Sequence, residues 1–269
     1  NKELLSVMEE TTVKMIVKEY EKFKDKLDIF HVAFSGGKDS AVLLDLVKKA
    51  LPKGSFVVIF GDTGMEFPDT YKAVELTKEQ CEKDGTPFYI ARSHFNPEDS
   101  WKVFGPPARV LRWCCSVHKS TPQTLKMREI TGKNNYIGLD FVGVRKEESL
   151  ARSKYDYENF GKKQKGQFSF NPILDWTSAE VWLYMFLNKI YVNEAYKKGN
   201  SRAGCLFCPM GGGKNDYIQF SSYKQNVGVY IDLIKSMNAR NAGDVDALCS
   251  YVCNGGWNAR KNGRGLTIE

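Results

Sequence analysis

The chain has 269 residues, 42% of them hydrophobic and 13% aromatic, with a formal net charge of +7 and a pI near 8.9. This composition excludes a wholly disordered polar chain and is enough for one large α/β domain, or one domain with a smaller appendage. No run of 18 apolar residues exists to span a bilayer, and the opening "NKELLSVMEE" has acids where a secretory signal needs an apolar core. The expectation is a cytoplasmic protein with no membrane partner. A mildly basic balance suits an anionic ligand: a nucleotide, a sulfate ester or a nucleic acid. No long Lys/Arg block is present, and the densest basic stretches are "GKKQKGQ" at 161–167 and "WNARKNGR" at 257–264.

In chain order, Leu4, Leu5, Met8, Val13, Ile16, Val17, Tyr20 and Phe23 recur at helical spacing and predict one or two amphipathic helices over 3–27. "IFHVAFS" at 29–35 reads as a short apolar strand. "KDSAVLLDLVKKAL" is a helix that stops before Pro52. "SFVVIFGDTG" is a second buried strand, "TYKAVELTKEQCEKDG" a helix closed by Gly85, and "TPFYIAR" a third strand. "NYIGLDFVGVR" contains another strand. The polar stretch "SLARSKYDYENFGKKQKGQFSFNP" reads as a long surface loop. "WTSAEVWLYMFLNK" is a helix capped by Thr177 or Ser178 with Glu180 near its start. Residues 193–213 look loop-like and 214–256 helical. Alternating strands and helices imply an α/β fold: a doubly wound, mostly parallel sheet flanked by helices, with a helical C-terminal part. The expected organisation is an N-terminal helical segment (1–28), a nucleotide-binding domain (29–210), and a C-terminal helical extension with a basic tail (211–269).

In "SGGKDS", Gly36 and Gly37 allow a tight turn and a close approach of backbone to ligand. The helix that follows directs free N–H groups and its positive end at an anion. Ser35 and Ser40 offer hydroxyl groups, Lys38 a cation, and Asp39 a carboxylate for Mg²⁺ bridging pyrophosphate oxygens. The pattern is shorter than the Walker loop. A glycine turn alone would be unremarkable; the full hexapeptide between strand and helix points to phosphate. "FGDTGMEFPDTY" places Asp62, Thr63 and Gly64 at the carboxyl end of the next strand, the edge where open α/β sheets bind ligands.

The seven cysteines are Cys81, Cys114, Cys115, Cys205, Cys208, Cys249 and Cys253. An odd count without a signal pattern argues against a disulfide framework. Cys81 alone reads as core. An adjacent pair followed after 89 residues by C-x-x-C gives four thiolates, able to bind Zn²⁺ or a [4Fe–4S] cluster. Adjacent cysteines suit two irons of a cubane better than one Zn²⁺. Cys249 and Cys253 sit four apart in an expected helix, and there they read as two packed residues on one face.

"SGGKDS" resembles the PP-loop of the ATP pyrophosphatase (adenine nucleotide α-hydrolase-like) superfamily, whose members cleave ATP between the α and β phosphates. Residues 29–210 more closely resemble the phosphoadenylyl-sulfate and adenylyl-sulfate reductases, through "DTG…FP-[ED]-T", "CC…CxxC", "CCSVHKSTP", "VGVRKEESLARS", "NPILDWTSAEVW" and "NEAYKKGNSRAGC". The resemblance implies that Cys114, Cys115, Cys205 and Cys208 hold a [4Fe–4S] cluster. It places Lys119 beside cluster and substrate, with His118 standing where the family has arginine, and sets Gly143, Arg145 and Arg152 facing phosphate or sulfate. Lys38, Asp39, Lys119 and Arg145 are then the catalytic candidates. Trp176 and Trp182 read as core.

Two departures shape the functional expectation. Those reductases usually have a degenerate loop, whereas "SGGKDS" is intact here, and the sequence contains no "ECG-[IL]-H" element. The resemblance therefore implies an ATP–Mg²⁺-using enzyme that adenylates an acceptor for iron–sulfur-dependent sulfur transfer, as in nucleic-acid thiolation or DNA phosphorothioation. Its partners would be an adenine nucleotide, a sulfur donor or reductant protein, a nucleic acid as acceptor, and a second copy in a homo-oligomer. The alternatives are a sulfonucleotide reductase producing sulfite, with Cys249 or Cys253 as nucleophile, and a non-catalytic nucleotide-sensing subunit.

Overall fold

A computed structural model describes residues 2–160, 166–211, 218–219 and 221–237. Residues 161–165 of the first basic stretch, the basic tail, the helical reading of 238–256, and Cys249 and Cys253 lie outside the described residues. The chain divides into two compact units. One comprises 1–61, 69–91 and 123–193; the other comprises 62–68, 92–122 and the stretch from Glu194 onward.

The first unit is built on a six-stranded sheet. Its strands are β1 (Ile29–Phe34), β2 (Val57–Asp62), β3 (Phe88–Arg92), β4 (Gly138–Phe141), β5 (Glu158–Phe160) and β6 (Gln167–Phe170), in the order β3-β2-β1-β4-β6-β5. β1 runs parallel to both β2 and β4, and β4 parallel to β6, while β5 closes the edge antiparallel to β6. β1 is apolar along almost its whole length because a central parallel strand is covered on both faces. Phe30, Val32 and Phe34 share one cluster with Leu139, Phe141 and Phe170 and with Ile16 of α1 (Lys2–Phe23), Leu43, Leu46 and Val47 of α2 (Lys38–Ala50), and Val181 and Met185 of α6 (Ser178–Leu187). Ile29 belongs to a second cluster with Ile59, Ala91, Tyr136 and Met127 of α5 (Thr121–Thr131).

Most elements agree with the sequence reading. The N-terminal pattern forms one helix. α3 (Pro68–Asp84) buries Cys81 completely. α6 has Thr177 as N-cap, with Glu180 closing a reciprocal capping box. Trp176 is buried and Trp182 packs at the margin of the core. The correction lies at 149–172: two strands, β5 and β6, occupy what reads as a surface loop. β6 is four residues of alternating polarity. Its strand character comes from pairing with β4, a partner distant in sequence, and not from local apolar density.

The second unit has its own core, in which Met65, Phe67, Leu206 and Phe207 pack with Trp101 of α4 (Pro97–Phe104) and with Val227, Tyr230 and Ile234 of α8 (Lys224–Met237). Trp101 is completely buried and lies 4.7 Å from the Tyr230 ring centroid and 5.8 Å, edge-on, from that of Phe207. Asn96 caps α4 by accepting from the Glu98 amide at 2.8 Å. The short helix α7 (Glu194–Lys197) interrupts the expected loop after Asn193. Among the described residues no helix is long and apolar enough to cross a membrane.

His31 lies within the first unit's sheet, 4% exposed, with Nε2 3.2 Å from Asp140 Oδ1 and Nδ1 without a hydrogen-bond partner among the described residues. Burial pushes its pKa down from 6.5 to about 3, so proximity to Asp140 does not make it an imidazolium. Between those two values the unfolded chain binds the extra proton, so stability rises with pH and is lost as pH falls from about 6.5 toward 3. Urea unfolding at pH 7, 6 and 5 should show a decline to which this group contributes up to about 1.4 kcal/mol per pH unit. His31→Phe should flatten that decline; an equally steep profile in the variant would remove His31 as its source.

Candidate functional site

β1 ends at Phe34 and the chain turns through Ser35, Gly36 and Gly37 into α2. Gly36 has φ +73°, which favours glycine, and a Cβ there would lie 2.8 Å from Thr70 Cγ2. Gly37 is the N-cap and supplies no side-chain acceptor, so it leaves first-turn amides of α2 available to an external anion. Ser40 holds the turn closed: its hydroxyl donates to the Gly37 carbonyl at 2.9 Å and accepts from the Ser35 amide at 3.2 Å. Asn193 braces the outside, donating to the Gly36 carbonyl at 2.9 Å and to Thr70 Oγ1 at 3.2 Å.

The charged residues converge on Asp39. Lys38 Nζ contacts both of its oxygens, at 2.9 and 2.7 Å. Arg145 Nε donates to Oδ1 at 2.6 Å. Arg145 is only 4% exposed, and its Nη1 donates to Glu147 Oε2 at 2.7 Å and to the Trp176 carbonyl at 3.3 Å. Burial works against the guanidinium charge, but the Asp39 carboxylate together with Glu147 and Glu148 outweighs it and raises the pKa. Glu147 accepts from the Ser178 amide at 2.5 Å, which, with Arg145, keeps its carboxyl below the usual range. Glu148 accepts from the Arg145 amide at 3.0 Å and pairs with Arg152. Gly143 is the hinge of this arrangement. A Cβ there would stand 2.9 Å from the Asp39 carbonyl carbon and oxygen and 3.1 Å from the Ser40 amide.

The second unit holds the rest of the sequence candidates. Asp62 Oδ1 accepts from the Gly64 amide at 2.8 Å and fixes the turn after β2. The strip after this turn forms an isolated antiparallel bridge between Glu66 and Cys205, with Leu206 N donating to Met65 O at 2.7 Å and Phe67 N to Gly204 O at 3.0 Å. Glu66 is buried; Thr63 donates to its Oε1 at 2.9 Å and the Cys205 thiol to the same oxygen at 3.2 Å. Burial raises the Glu66 carboxyl, and nearby Lys119 opposes that rise. Burial works against the Lys119 charge, yet Glu66 and then the thiols of Cys205, Cys115 and Cys208 keep it protonated. Lys119 and His118 lie on a π-helical turn, Ser116–Ser120, a local irregularity frequent at functional positions. His118, where the family has arginine, is buried, with Nε2 3.0 Å from Ser100 Oγ. Phe207, between the C-x-x-C cysteines, has φ +54°, a left-handed turn that bends this loop.

Cys114, Cys115, Cys205 and Cys208 all fall in this unit, and none of them forms a disulfide among the described residues. The Cys114 thiol is pushed up by its hydrogen bond with Cys115, then by burial and by the charges of Cys115, Cys205 and Cys208, so the four share one electrostatic neighbourhood. Four thiols with a nearby ammonium are a donor set suited to an iron–sulfur cluster. Among the described residues, however, no group of three or more His, Cys, Asp or Glu side chains is arranged to hold a metal ion.

The structure thus brings together Ser35–Ser40, Gly143 and Arg145, with Arg152 one ion pair away. In the second unit it groups Thr63, Lys119 and Cys205 around Glu66. Sequence reasoning did not single out Glu66, Glu147 or Asn193. A carboxylate between Met65 and Phe67 in an apolar turn was the available signal for Glu66; Glu147 and Asn193 lie in the segments "VGVRKEESLARS" and "NEAYKKGNSRAGC" that carry the family resemblance, but their partners are set only by the fold. Gly143→Ala should lower stability by about 1–3 kcal/mol through the clash with the Asp39 backbone, read as a lower urea midpoint with unchanged slope. An unchanged midpoint would show that the Gly143 turn does not bear on the loop.

Comparison with known proteins agrees with this architecture. The phosphoadenosine phosphosulfate reductase domain matches residues 29–210. Two uncharacterised proteins of Methanocaldococcus jannaschii are 34% and 36% identical over 78% of this chain, and the chain spans only 48% and 41% of their respective lengths. An adenosine 5'-phosphosulfate reductase of Halalkalibacterium halodurans is 27% identical over 69% of this chain and 80% of its own. Among solved structures, a phosphoadenylyl-sulfate reductase from Candida auris aligns with TM-score 0.52 at 19% identity, covering 77% of this chain and 97% of that one. A Candida glabrata FMN adenylyltransferase solved with FMN and an ATP analogue aligns with TM-score 0.53 at 14% identity, covering 76% and 64%. At those identities the structures show a shared fold. With the family match spanning more than half of its residues, the chain belongs to the phosphoadenosine phosphosulfate reductase domain family.

Proposed function

We propose that this protein is an ATP-using member of its family that cleaves ATP to AMP and pyrophosphate, adenylating an acceptor for iron–sulfur-dependent sulfur transfer, with nucleic acid as the acceptor. One observation carries the reading: the intact "SGGKDS" turn, with Lys38, Asp39 and Arg145 in mutual contact around it. A ligand lacking β and γ phosphates would leave much of that machinery without a task. The adenylyltransferase that shares the fold was solved with an ATP analogue, which is consistent with this use of the edge.

The chemistry follows in two displacements. An acceptor oxygen attacks the α-phosphorus of ATP; the bond from that phosphorus to the bridging oxygen breaks, and pyrophosphate leaves with the electron pair. A sulfur nucleophile at the hydrosulfide level then attacks the activated atom of the acceptor, and AMP departs with the original oxygen, so no oxidant or reductant is consumed. First-turn amides of α2 and Lys38 stabilise the departing pyrophosphate. Asp39 would hold Mg²⁺ by exchanging its lysine and arginine partners for the ion, which releases Arg145 to the α-phosphate. Cys114, Cys115, Cys205 and Cys208 would hold a [4Fe–4S] cluster, which when bound supplies thiophilic iron for handling sulfur. Lys119 keeps a positive charge beside those thiols.

A second reading, sulfonucleotide reduction, is favoured by the relative named adenosine 5'-phosphosulfate reductase, 80% of which this chain covers. It needs a nucleophilic cysteine outside the thiol set, and Cys249 and Cys253 are the candidates in the sequence.

Calorimetric titration of anaerobically purified protein should show tighter binding of ATP–Mg²⁺ than of adenylyl sulfate or its 3′-phosphorylated form. The opposite order would favour the reductase and overturn the ATP reading. Asp39→Asn should slow pyrophosphate release by about 10²-fold or more; wild-type turnover in that variant would remove Asp39 from the reaction. Cys205→Ala should abolish the brown visible absorbance of the reconstituted protein, and an unchanged spectrum would overturn the ligand assignment.

A further inference from the structure

We propose that the hairpin 105–113 of the second unit is a docking element for single-stranded nucleic acid. Arg109 and Arg112 would take phosphodiester groups, and Val110 with Phe104 would take a base face. This names a contact surface for the acceptor of the proposed reaction and rests on that reading for its biological role, though not for the binding itself.

The hairpin is rigid at its stem and open at its tip. Ala108 and Leu111 exchange both backbone hydrogen bonds, at 3.2 and 3.0 Å. Trp113 Nε1 donates to the Gly105 carbonyl at 3.0 Å, and its ring lies 5.2 Å from that of Phe104. Pro106, Pro107 and Ala108 are buried. By contrast Arg109, Val110 and Arg112 are exposed, Val110 by 66%, and Val103 and Phe104 at the end of α4 by 75% and 43%. A preformed tip of this kind loses little entropy on binding.

Charge selects the partner. Other cations of the same stretch are committed: Lys102 to Asp99 at 2.9 Å and Arg92 to Asp62 at 3.6 Å. Arg109 and Arg112 have no ion pair or side-chain hydrogen bond among the described residues. Two guanidinium forks without carboxylate partners, with apolar and aromatic surface between and beside them, match a strand that alternates phosphates with stackable bases. An acidic peptide would satisfy the arginines but leave Phe104 and Val110 uncovered. Cys114 follows Trp113 directly, so a strand held on this hairpin lies beside the first cysteines of the thiol set.

The test is fluorescence anisotropy of labelled single-stranded RNA and DNA oligonucleotides with the full chain across a salt series. The double variant Arg109→Ala/Arg112→Ala should bind at least about tenfold more weakly, and its salt dependence should be shallower by about 1.4 in the log–log slope, ~0.7 for each lost phosphate contact. Val110→Ser should weaken binding with the slope unchanged. A double variant that binds as tightly and as steeply as wild type overturns the proposal, as does absence of binding by wild type. So does displacement of the oligonucleotide by polyglutamate at equal charge concentration, which would make the surface a generic acidic-protein site. ATP–Mg²⁺ titration of the same preparations separates the two readings. Oligonucleotide binding through the arginines without ATP binding would retain the surface and sink the ATP reading; ATP binding without oligonucleotide binding would do the reverse.

Discussion

The parallel pairing of β1 with β4 is the constraint on which the charged site depends. Their register, Ile29 against Gly138 through Val32 against Phe141, brings both carboxyl ends to the same edge of the sheet. The loop leaving β1 and the loop leaving β4 then have to share that edge. Gly143 allows them to touch at backbone distance, and Arg145, two residues on, reaches Asp39 from the opposite loop. A guanidinium that is 4% exposed would be costly if left alone. Asp39, Glu147 and the Trp176 carbonyl together offset that cost, so the positions of these groups are interdependent. The same contacts explain how the loop is held in a preorganised shape.

A different device organises the second unit. There the turn after β2 and the C-x-x-C loop are fastened by a single antiparallel bridge, and the side chains of the bridged pair, Glu66 and Cys205, hydrogen-bond to each other. A residue of the nucleotide-type motif is thereby tied to a residue of the thiol set. Trp101, Phe207 and Tyr230 form the apolar support beneath. Among the described residues, the left-handed Phe207 and the π turn carrying Lys119 are backbone irregularities near the thiols.

Much of this was legible from residues alone because the signals are local. A strand, a glycine turn and a helix in succession mark the loop between β1 and α2 within twenty residues, and the cysteines announce themselves by type. Thr177 and Glu180 announced the start of α6 for the same reason. β5 and β6 were not legible. Their residues are polar or alternating, and what makes them strands is hydrogen bonding to β4 across an interval of sequence that local propensity does not see.

The sequence by itself determined the α/β class, the glycine turn between β1 and α2, the positions of the four cysteines and the family, since each is carried by short-range periodicity or by residue chemistry. Only the tertiary structure decided which charges meet. That Arg145 holds Asp39, that Asn193 braces Gly36, and that Glu66 accepts from Cys205 all depend on segments separated by more than a hundred residues. The physical reason is that burying a charged or polar group is tolerable only when its partner arrives with it, and the arrival is set by sheet register and core packing, not by neighbours in the chain.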